Sequence, residues 1–258
     1  MVKNFDINEQ KYSIRCKYYC GKEPRSVTDL VIATYGFGGN KDNSATEKFA
    51  ERLISKYKHF GVIVFDWPAH GADSLNRFLP DECMTYFDLT VHYALEEMHA
   101  KNLYTYGTSL GGYITLRYLS EYGNPFRKIA LRCPAINIYD IMKAGITPDE
   151  QTKLDRGKEI IRGYTRKIRL TSEFFDQLRA ADVRKNEYFD FADDMLILQG
   201  TKDEFIPFDD IRQFAEDNVI ELIPAENADH PFSDPGIMDL AISRIIEFFQ
   251  PPASAESR

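Results

Sequence analysis

The residues that most constrain this chain are 107–111, which read Gly-Thr-Ser-Leu-Gly and are followed by a further glycine. The β-prone residues 103–106 lead into this stretch, and the helix-prone residues 113–122 lead out of it. A strand that turns sharply into a helix strains its turn residue, and flanking glycines avoid a collision between the two elements. The stretch therefore predicts a turn that holds Ser109 out as a nucleophile. A serine among glycines also occurs in ordinary loops, so this interpretation depends on the rest of the sequence.

Continuous apolar runs mark the other strands, because a strand buried on both faces of a sheet has few polar residues. Segments with helical spacing separate most of these runs, which predicts an α/β fold with a mostly parallel, doubly wound sheet. Ligands of such sheets bind at the carboxyl ends of the strands. Residues 11–19 are expected to form the outer strand of an N-terminal hairpin. The other predicted strands are 30–35, 62–65, 103–106, 129–133, 195–200 and 219–223, and the predicted helices are 45–57, 85–101, 113–122, 209–217 and 237–249.

Residues 135–192 interrupt this alternation of strands and helices. They carry many charges and several glycines, with only short amphipathic pieces such as 174–178. A separate small helical domain is the alternative, but no linker rich in proline, glycine or serine isolates these residues. We expect a single domain over residues 1–258, in which residues 135–192, the lid segment, form a small lid insertion over the sheet.

Charge and composition argue against several classes of protein. The 258 residues have a formal net charge of -8, whereas binding to nucleic acid requires a basic surface. The first residues lack an apolar signal segment and no run approaches the roughly 20 apolar residues of a membrane span, so we expect a cytoplasmic protein. The sequence leaves the oligomeric state open, a homodimer included. The four cysteines are expected to be buried thiols without metal-binding spacing, so neither a metal nor an organic cofactor is predicted.

A serine hydroxyl needs a base to take its proton and a third group to orient that base. His230 follows the last predicted strand in a polar loop and is the candidate base. His70 also follows a strand and is its competitor, but it precedes the glycine-flanked serine and suits a buried turn that braces the site. The remaining histidines lie in helical stretches and are expected to be solvated: His59, His92 and His99.

The third group should be an acid just past the strand that ends at residue 200. Asp203 lies there, and the neighbouring Glu204 is expected to point the other way. Asp194 precedes the strand, at the wrong end of the sheet. The resulting chain order is serine, aspartate and histidine, as in the nucleophile-elbow enzymes.

The tetrahedral intermediate of such chemistry needs donors for its oxyanion. The backbone N–H of Leu110, directly after the serine, is one candidate, and the N–H of Phe37 in a glycine-rich turn is the other. Glycines at 36, 38 and 39 would let that turn approach a substrate closely. A phosphate loop is the alternative, but the motif Gly-x-x-x-x-Gly-Lys-Ser/Thr is absent.

Four of these pieces together resemble the serine hydrolases of the α/β-hydrolase superfamily. They lie in the family's order and span roughly residues 28–250. The closest resemblance is to feruloyl/cinnamoyl esterases and monoacylglycerol lipase-like esterases. The pieces are Tyr-Gly-Phe-Gly-Gly at 35–39, Gly-Thr-Ser-Leu-Gly-Gly at 107–112, Gly-Thr-Lys-Asp at 200–203 and Asp-His-Pro-Phe at 229–232.

This sequence departs from that subfamily at two positions. Tyr35 stands where histidine is usual, and Ala69 stands where the first glycine of a Gly-His-Gly loop is common. Neither departure removes a predicted catalytic group. The resemblance implies a serine carboxylesterase that acts through an acyl-enzyme on Ser109, His230 and Asp203. Monoacylglycerol lipase-like, peptide or carbon–carbon bond hydrolysis on the same triad, or non-catalytic binding of a small ligand, are the alternatives.

The lid segment supplies more apolar and aromatic side chains than a cover for the sheet needs. We expect Tyr139, Tyr164 and Phe174 to contact a small ester substrate, although such residues also serve to anchor a lid. Aromatic walls suit flat rings and short chains, whereas a long acyl chain needs an extended tunnel. The predicted substrates are therefore short-chain or aryl esters of the hydroxycinnamate type.

Overall fold

The computed structural model describes residues 1–9, 11–73, 77–163 and 166–250, without the side chains of residues 25 and 73. Within these ranges, strands and helices alternate along most of the chain. The strands are β1 (Val2–Glu9), β2 (Tyr12–Tyr19), β3 (Asp29–Thr34), β4 (Phe60–Phe65), β5 (Asn102–Thr108), β6 (Lys128–Arg132), β7 (Ile160–Arg162), β8 (Ile168–Leu170), β9 (Met195–Gly200) and β10 (Glu221–Ala225).

The helices are longer in the body of the protein than in the lid segment. They are α1 (Ser44–Lys56), α2 (Pro80–His92), α3 (Leu110–Tyr122), α4 (Ile138–Ala144), α5 (Pro148–Asp155), α6 (Ser172–Ala180), α7 (Phe208–Asn218) and α8 (Pro235–Phe248). Shorter 3₁₀ turns span Pro24–Ser26, Gly71–Asp73, Val183–Lys185 and Phe189–Asp194, and a π turn, Tyr93–Glu97, extends α2. No helix in the described ranges is both long and apolar enough to cross a bilayer.

Eight strands form one sheet in the order β1-β2-β4-β3-β5-β6-β9-β10. The six strands from β4 to β10 in this order are parallel, and β2 pairs antiparallel with both β1 and β4. Strands β3, β4 and β9 are buried at every position, which explains their continuous apolar sequences. Helices flank the sheet, with α1 packed on α8 and α2 packed on α3. The predicted α/β fold with a mostly parallel, doubly wound sheet is confirmed.

Several predicted boundaries differ from the structure by a few residues, and two of these differences have a clear cause. Helix α2 begins at Pro80, before the predicted residue 85, because proline has a φ suited to the first helical turn and no N–H that needs a partner there. Strand β10 begins at Glu221, after the predicted residue 219, because Val219 adopts a left-handed conformation with φ of 57° that ends α7. Pro224 lies within β10 at one edge of the sheet, and β1 forms the other edge.

The lid segment lies between β6 and β9, as expected. It contains α4, α5 and α6 together with a small antiparallel pair, β7 and β8. Its description leaves out residues 164 and 165. The four cysteines, Cys16, Cys20, Cys83 and Cys133, are free and buried, as predicted.

Candidate active site

Ser109 occupies a strained turn between β5 and α3, with φ of 53° and ψ of −114°. Its N–H donates to the carbonyl oxygen of Arg132 at 3.1 Å. The glycines around it are required by close packing. A Cβ on Gly107 would lie 2.9 Å from the backbone oxygen of Gly111, and a Cβ on Gly111 would collide with the side chain of Thr34. The sequence therefore folds here into the strand, turn and helix that its glycines predict.

Ser109, His230 and Asp203 lie together at the carboxyl ends of the strands. Nε2 of His230 is 2.9 Å from Oγ of Ser109, and Nδ1 of the same ring is 2.7 Å from Oδ2 of Asp203. Because a carboxylate only accepts hydrogen bonds, Nδ1 must carry the ring hydrogen. Nε2 is then free to accept the hydroxyl hydrogen of Ser109. This arrangement joins the three residues proposed from the sequence into one hydrogen-bonded chain.

Asp203 is held in its orientation by donors from the chain around it. Its Oδ1 accepts the N–H groups of Phe205 and Ile206 at 2.9 Å each, and its Oδ2 accepts the side-chain amide of Gln199 at 3.0 Å. Burial alone would raise the pKa of Asp203, but the bond and charge of His230 and these N–H groups hold that pKa below its ordinary value. The carboxylate is therefore ionised and fixed.

The other two acids considered in the sequence do not contact the histidine ring. Glu204 accepts the backbone N–H of His230 at 3.2 Å, so it contacts the loop. Asp194 lies before β9 and pairs with Lys128 at 3.0 Å, at the opposite end of the strand.

His70 braces the glycine-rich turn, in agreement with its predicted structural role. The N–H of Gly38 donates to Nε2 of His70 at 2.9 Å, so Nδ1 carries the hydrogen and donates to the carbonyl of Pro68 at 2.9 Å. Burial lowers the pKa of His70 to about 4, and the charge of Arg166 adds to this effect. The ring therefore stays neutral near neutral pH, and Nε2 remains an acceptor.

Tyr35 supports the same turn in a way the sequence did not reveal. Its hydroxyl donates to Oδ1 of Asp66 at 3.0 Å and accepts the N–H of Trp67 at 3.0 Å. The backbone N–H of Lys41 also donates to Oδ1 of Asp66, at 2.7 Å. Asp66 directly follows the buried strand β4, and this position was the available signal that it has a structural or functional role.

A cavity of about 410 Å³ opens beside Ser109 and His230. Its walls are mainly apolar. Helix α4 contributes three apolar lining residues at helical spacing, Ile138, Ile141 and Met142. Phe205, which is 52% exposed, packs edge-on against His230 with ring centroids 5.3 Å apart. The lining residues are Gly36, Phe37, Gly39, Thr108, Ser109, Leu110, Arg132, Ala135, Ile138, Ile141, Met142, Phe205, Ile206, His230 and Pro231.

The aromatic residues expected to contact substrate lie elsewhere. Tyr139 is on α4 but is not in the cavity wall, and its ring packs on the guanidinium of Arg179 at 5.4 Å. Phe174 is fully buried against Phe78 and Phe175. Tyr164 lies outside the described residues. Helical periodicity explains why Tyr139 does not line the cavity. Ile138, Ile141 and Met142 share the face of α4 that lines it, and Tyr139 lies on a different face of the helix.

Among the residues that the structure describes, one set of side chains has the donors for a metal ion. The sulfur of Cys133 and donor atoms of Asp203 and His230 lie within 4.8 Å of one another. The ring of His230 and the carboxylate of Asp203 are already bonded to each other, and burial raises the pKa of Cys133 so that its thiol keeps its proton. The geometry thus favours the hydrogen-bonded chain over metal coordination.

Comparisons with known proteins agree with this architecture. A family model described as alpha/beta hydrolase fold matches residues 29–161, just over half of the chain. No curated protein is similar enough to the sequence to count as a match.

Several solved structures have the same fold. The chain is similar to Est1E from Butyrivibrio proteoclasticus with ferulic acid bound, with a TM-score of 0.75, 18% identity and coverage of 95% of this chain and 97% of that chain. It is also similar to alpha/beta hydrolase domain-containing protein 10 from mouse, with a TM-score of 0.70, 16% identity and coverage of 95% and 97%. The esterase domain of a Rhodothermus marinus protein has a TM-score of 0.68, 13% identity and coverage of 96% and 97%. At these identities the likeness shows the fold.

Proposed function

Since this chain belongs to the α/β-hydrolase family, we propose that it is a serine carboxylesterase that acts through an acyl-enzyme on Ser109. The observation that carries the proposal is the hydrogen-bonded chain from Ser109 through His230 to Asp203, with distances of 2.9 and 2.7 Å. A serine hydroxyl is a weak nucleophile at neutral pH, and a neighbouring base with an orienting carboxylate activates it. A protein that merely binds a ligand has no physical need for this arrangement, so the geometry favours an enzyme.

The reaction divides into two halves. Oγ of Ser109 attacks the ester carbonyl carbon while Nε2 of His230 takes the hydroxyl proton. The tetrahedral intermediate then breaks its bond to the alcohol oxygen, which receives the proton from His230. Water attacks the acyl-enzyme with His230 again as the base, and the acid leaves as Ser109 recovers its proton. Asp203 stays ionised throughout and stabilises the imidazolium, a role that its lowered pKa suits.

Two backbone N–H groups can stabilise the oxyanion. Leu110 is the first residue of α3, so its N–H has no partner inside the helix. Within the described residues, neither the N–H of Leu110 nor that of Phe37 donates a hydrogen bond to the protein. Both residues line the cavity beside Ser109. The bond from Gly38 to His70 holds the turn that presents Phe37.

The cavity supports short or flat acyl groups as substrates. Its volume of about 410 Å³ is near the lower end of the usual range for small-molecule sites. The apolar side chains Ile138, Ile141 and Met142 give it contact area for an alkyl chain or an aromatic ring. The solved Est1E has ferulic acid bound, which is consistent with hydroxycinnamate-type esters as candidates here. A long acyl chain would extend beyond a cavity of this size.

Covalent labelling and an ester series together test this function. A fluorophosphonate should add to Ser109, and Ser109→Ala should lose both labelling and turnover. Ser120→Ala is the matched control, because Ser120 lies on the exposed side of α3 and its hydroxyl donates to the carbonyl of Arg117. Labelling of another serine, or an active Ser109→Ala protein, would refute the mechanism.

The substrate class is tested separately with esters from acetyl to palmitoyl beside a methyl hydroxycinnamate. We expect the highest kcat/KM for the short-chain and aryl esters. A steady rise towards palmitoyl, with the aryl ester ignored, would show a lipase-like acyl tunnel instead.

A further inference from the structure

Arg132, the last residue of β6, is a buried cation beside the proposed nucleophile. Only 6% of the residue is exposed. Its Nε donates to the hydroxyl of Tyr106 at 3.2 Å, and its Nη1 donates to the carbonyl of Pro231 at 3.0 Å. Both partners are neutral. They accept hydrogen bonds from the guanidinium but do not balance its positive charge.

No carboxylate forms an ion pair with Arg132 within residues 1–9, 11–73, 77–163 and 166–250, leaving aside the side chain of residue 73. The ring of Phe232 faces the guanidinium, with 5.0 Å between Cζ and the ring centroid. Hydrogen bonds and a cation–π contact compensate only part of the cost of burying a charge. A buried guanidinium without a counter-charge is therefore well placed to attract an anion.

Arg132 also lines the cavity, together with His230 and Pro231. Among the described lining residues it is the one with a fixed charge, and most of the others are apolar. A guanidinium binds a carboxylate through paired N–H donors, and this interaction is strong where water is excluded. A substrate in this cavity would thus lie against the residue that carries this positive charge.

We propose that Arg132 makes this site selective for esters that carry a carboxylate, in the acyl or in the alcohol part, a few bonds from the scissile carbonyl. The inference rests on the proposed esterase function, which it narrows. A neutral ester of the same size fits the apolar walls but leaves the charge of Arg132 unpaired. The aryl preference is compatible with it, because a hydroxycinnamate esterified to a hydroxy acid satisfies both requirements.

Matched substrates separate charge from size. Monomethyl succinate carries a carboxylate in its acyl part, where methyl succinamate carries a neutral amide. Acetoxyacetate and acetoxyacetamide make the same comparison in the alcohol part. In the wild-type protein we expect kcat/KM to favour the carboxylate by roughly 10- to 100-fold in at least one pair, the range of a charge-assisted hydrogen bond. The pair that responds identifies the side of the ester that Arg132 contacts.

The variants Arg132→Gln and Arg132→Lys test whether the charge is responsible. Arg132→Gln should reduce the preference to about one, whereas Arg132→Lys, which keeps the charge but loses the paired donors, should retain part of it. Because Arg132 also holds the loop at Pro231, Arg132→Gln is expected to slow both esters of a pair. The ratio measured within one protein cancels that common loss.

A binding measurement keeps the proposal testable without turnover. Calorimetry with Ser109→Ala protein should show tighter binding of monomethyl succinate than of methyl succinamate, or of acetoxyacetate than of acetoxyacetamide. Equal binding within both pairs, or an unchanged kcat/KM ratio in Arg132→Gln, would overturn the role of Arg132. Failure of the esterase function looks different: no ester is hydrolysed and Ser109 is not labelled, yet the binding preference persists.

Discussion

The loops around Ser109 and the lid segment are held by different kinds of interaction. Asp203 and His70 are buried and fixed by hydrogen bonds from backbone N–H groups. On the lid segment, Glu159 forms ion pairs with Arg77 at 2.8 Å and Arg169 at 3.3 Å near the surface. Losing a buried hydrogen bond is costly, whereas surface ion pairs contribute little. Precise geometry is therefore concentrated in the loops, and we expect the lid segment to tolerate changes to its surface charges.

The lid segment instead depends on its own buried apolar side chains. Phe174 is fully buried, and β7 and β8 each turn buried residues towards the body of the protein. Apolar contact is less directional than hydrogen bonding, which suits a segment that contains none of the proposed catalytic residues. The buried apolar residues of the segment include Leu154, Ile160, Ile168, Leu170, Phe174, Phe175 and Leu178.

The largest effect is expected where a buried hydrogen bond orients the base. Asp203→Asn should lower kcat roughly ten-thousandfold, because an amide donor facing Nδ1 favours the wrong tautomer of His230. Steady-state kinetics on a short-chain ester, with fluorophosphonate labelling rates beside it, measures the loss.

Glu204→Gln is the matched control for this change. Its amide oxygen can still accept the backbone N–H of His230, so its turnover should stay near normal. A large loss in Glu204→Gln and none in Asp203→Asn would show that the two acids exchange roles.

A smaller effect is expected from His70, and it appears as a dependence of stability on pH. Its folded-state pKa of about 4 lies below the ordinary value of 6.5, so the unfolded chain binds the proton more readily. The free energy of unfolding should therefore fall as the pH drops from about 6.5 towards about 4, by roughly 3 kcal/mol in total. Urea unfolding at a series of pH values measures this slope.

His70→Gln tests the assignment, since the amide oxygen of glutamine can reach the position of Nε2 and accept the N–H of Gly38, and the amide does not titrate. The contribution of His70 to the slope should then disappear. Asp203, with a pKa held below its ordinary value, loses its stabilising contribution only at still lower pH. An unchanged slope in His70→Gln would mean that other groups cause it.

The smallest effect is expected in the lid segment. Glu159→Gln removes the shared partner of Arg77 and Arg169, yet the melting temperature should change by no more than about 2 °C. Thermal unfolding at low and high salt checks this, with the exposed Glu187→Gln as control. A large, salt-sensitive decrease would show that charge fixes the lid segment after all.

The sequence was most informative where one residue type is physically required. Gly107 and Gly111 could be recognised because only glycine fits the close approach of β5 and α3. Strands β3, β4 and β9 could be recognised because burial on both faces excludes polar residues. Strand β1 was missed as a strand of its own, because its residues are mostly exposed and polar and carry no continuous apolar run.

The cavity was harder to predict because its walls come from packing between distant segments. Ile138 and Met142 line it while Tyr139 does not, and this depends on how α4 is rotated on the body. Arg132 lies within the predicted strand 129–133, but nothing in the sequence indicates that its charge has no carboxylate partner among the described residues. Tyr35 looked like a departure from a family motif, and its bonds to Asp66 and Trp67 emerged only in three dimensions.

The two edges of the sheet differ in their capacity to accept another strand. Strand β10 is five residues long and contains Pro224, and short edge strands with a proline disfavour pairing with another chain. At the opposite edge, β1 presents eight residues of extended backbone without a proline. Any growth of this sheet by self-association is thereby directed to the β1 edge, where two copies could meet antiparallel about a twofold axis.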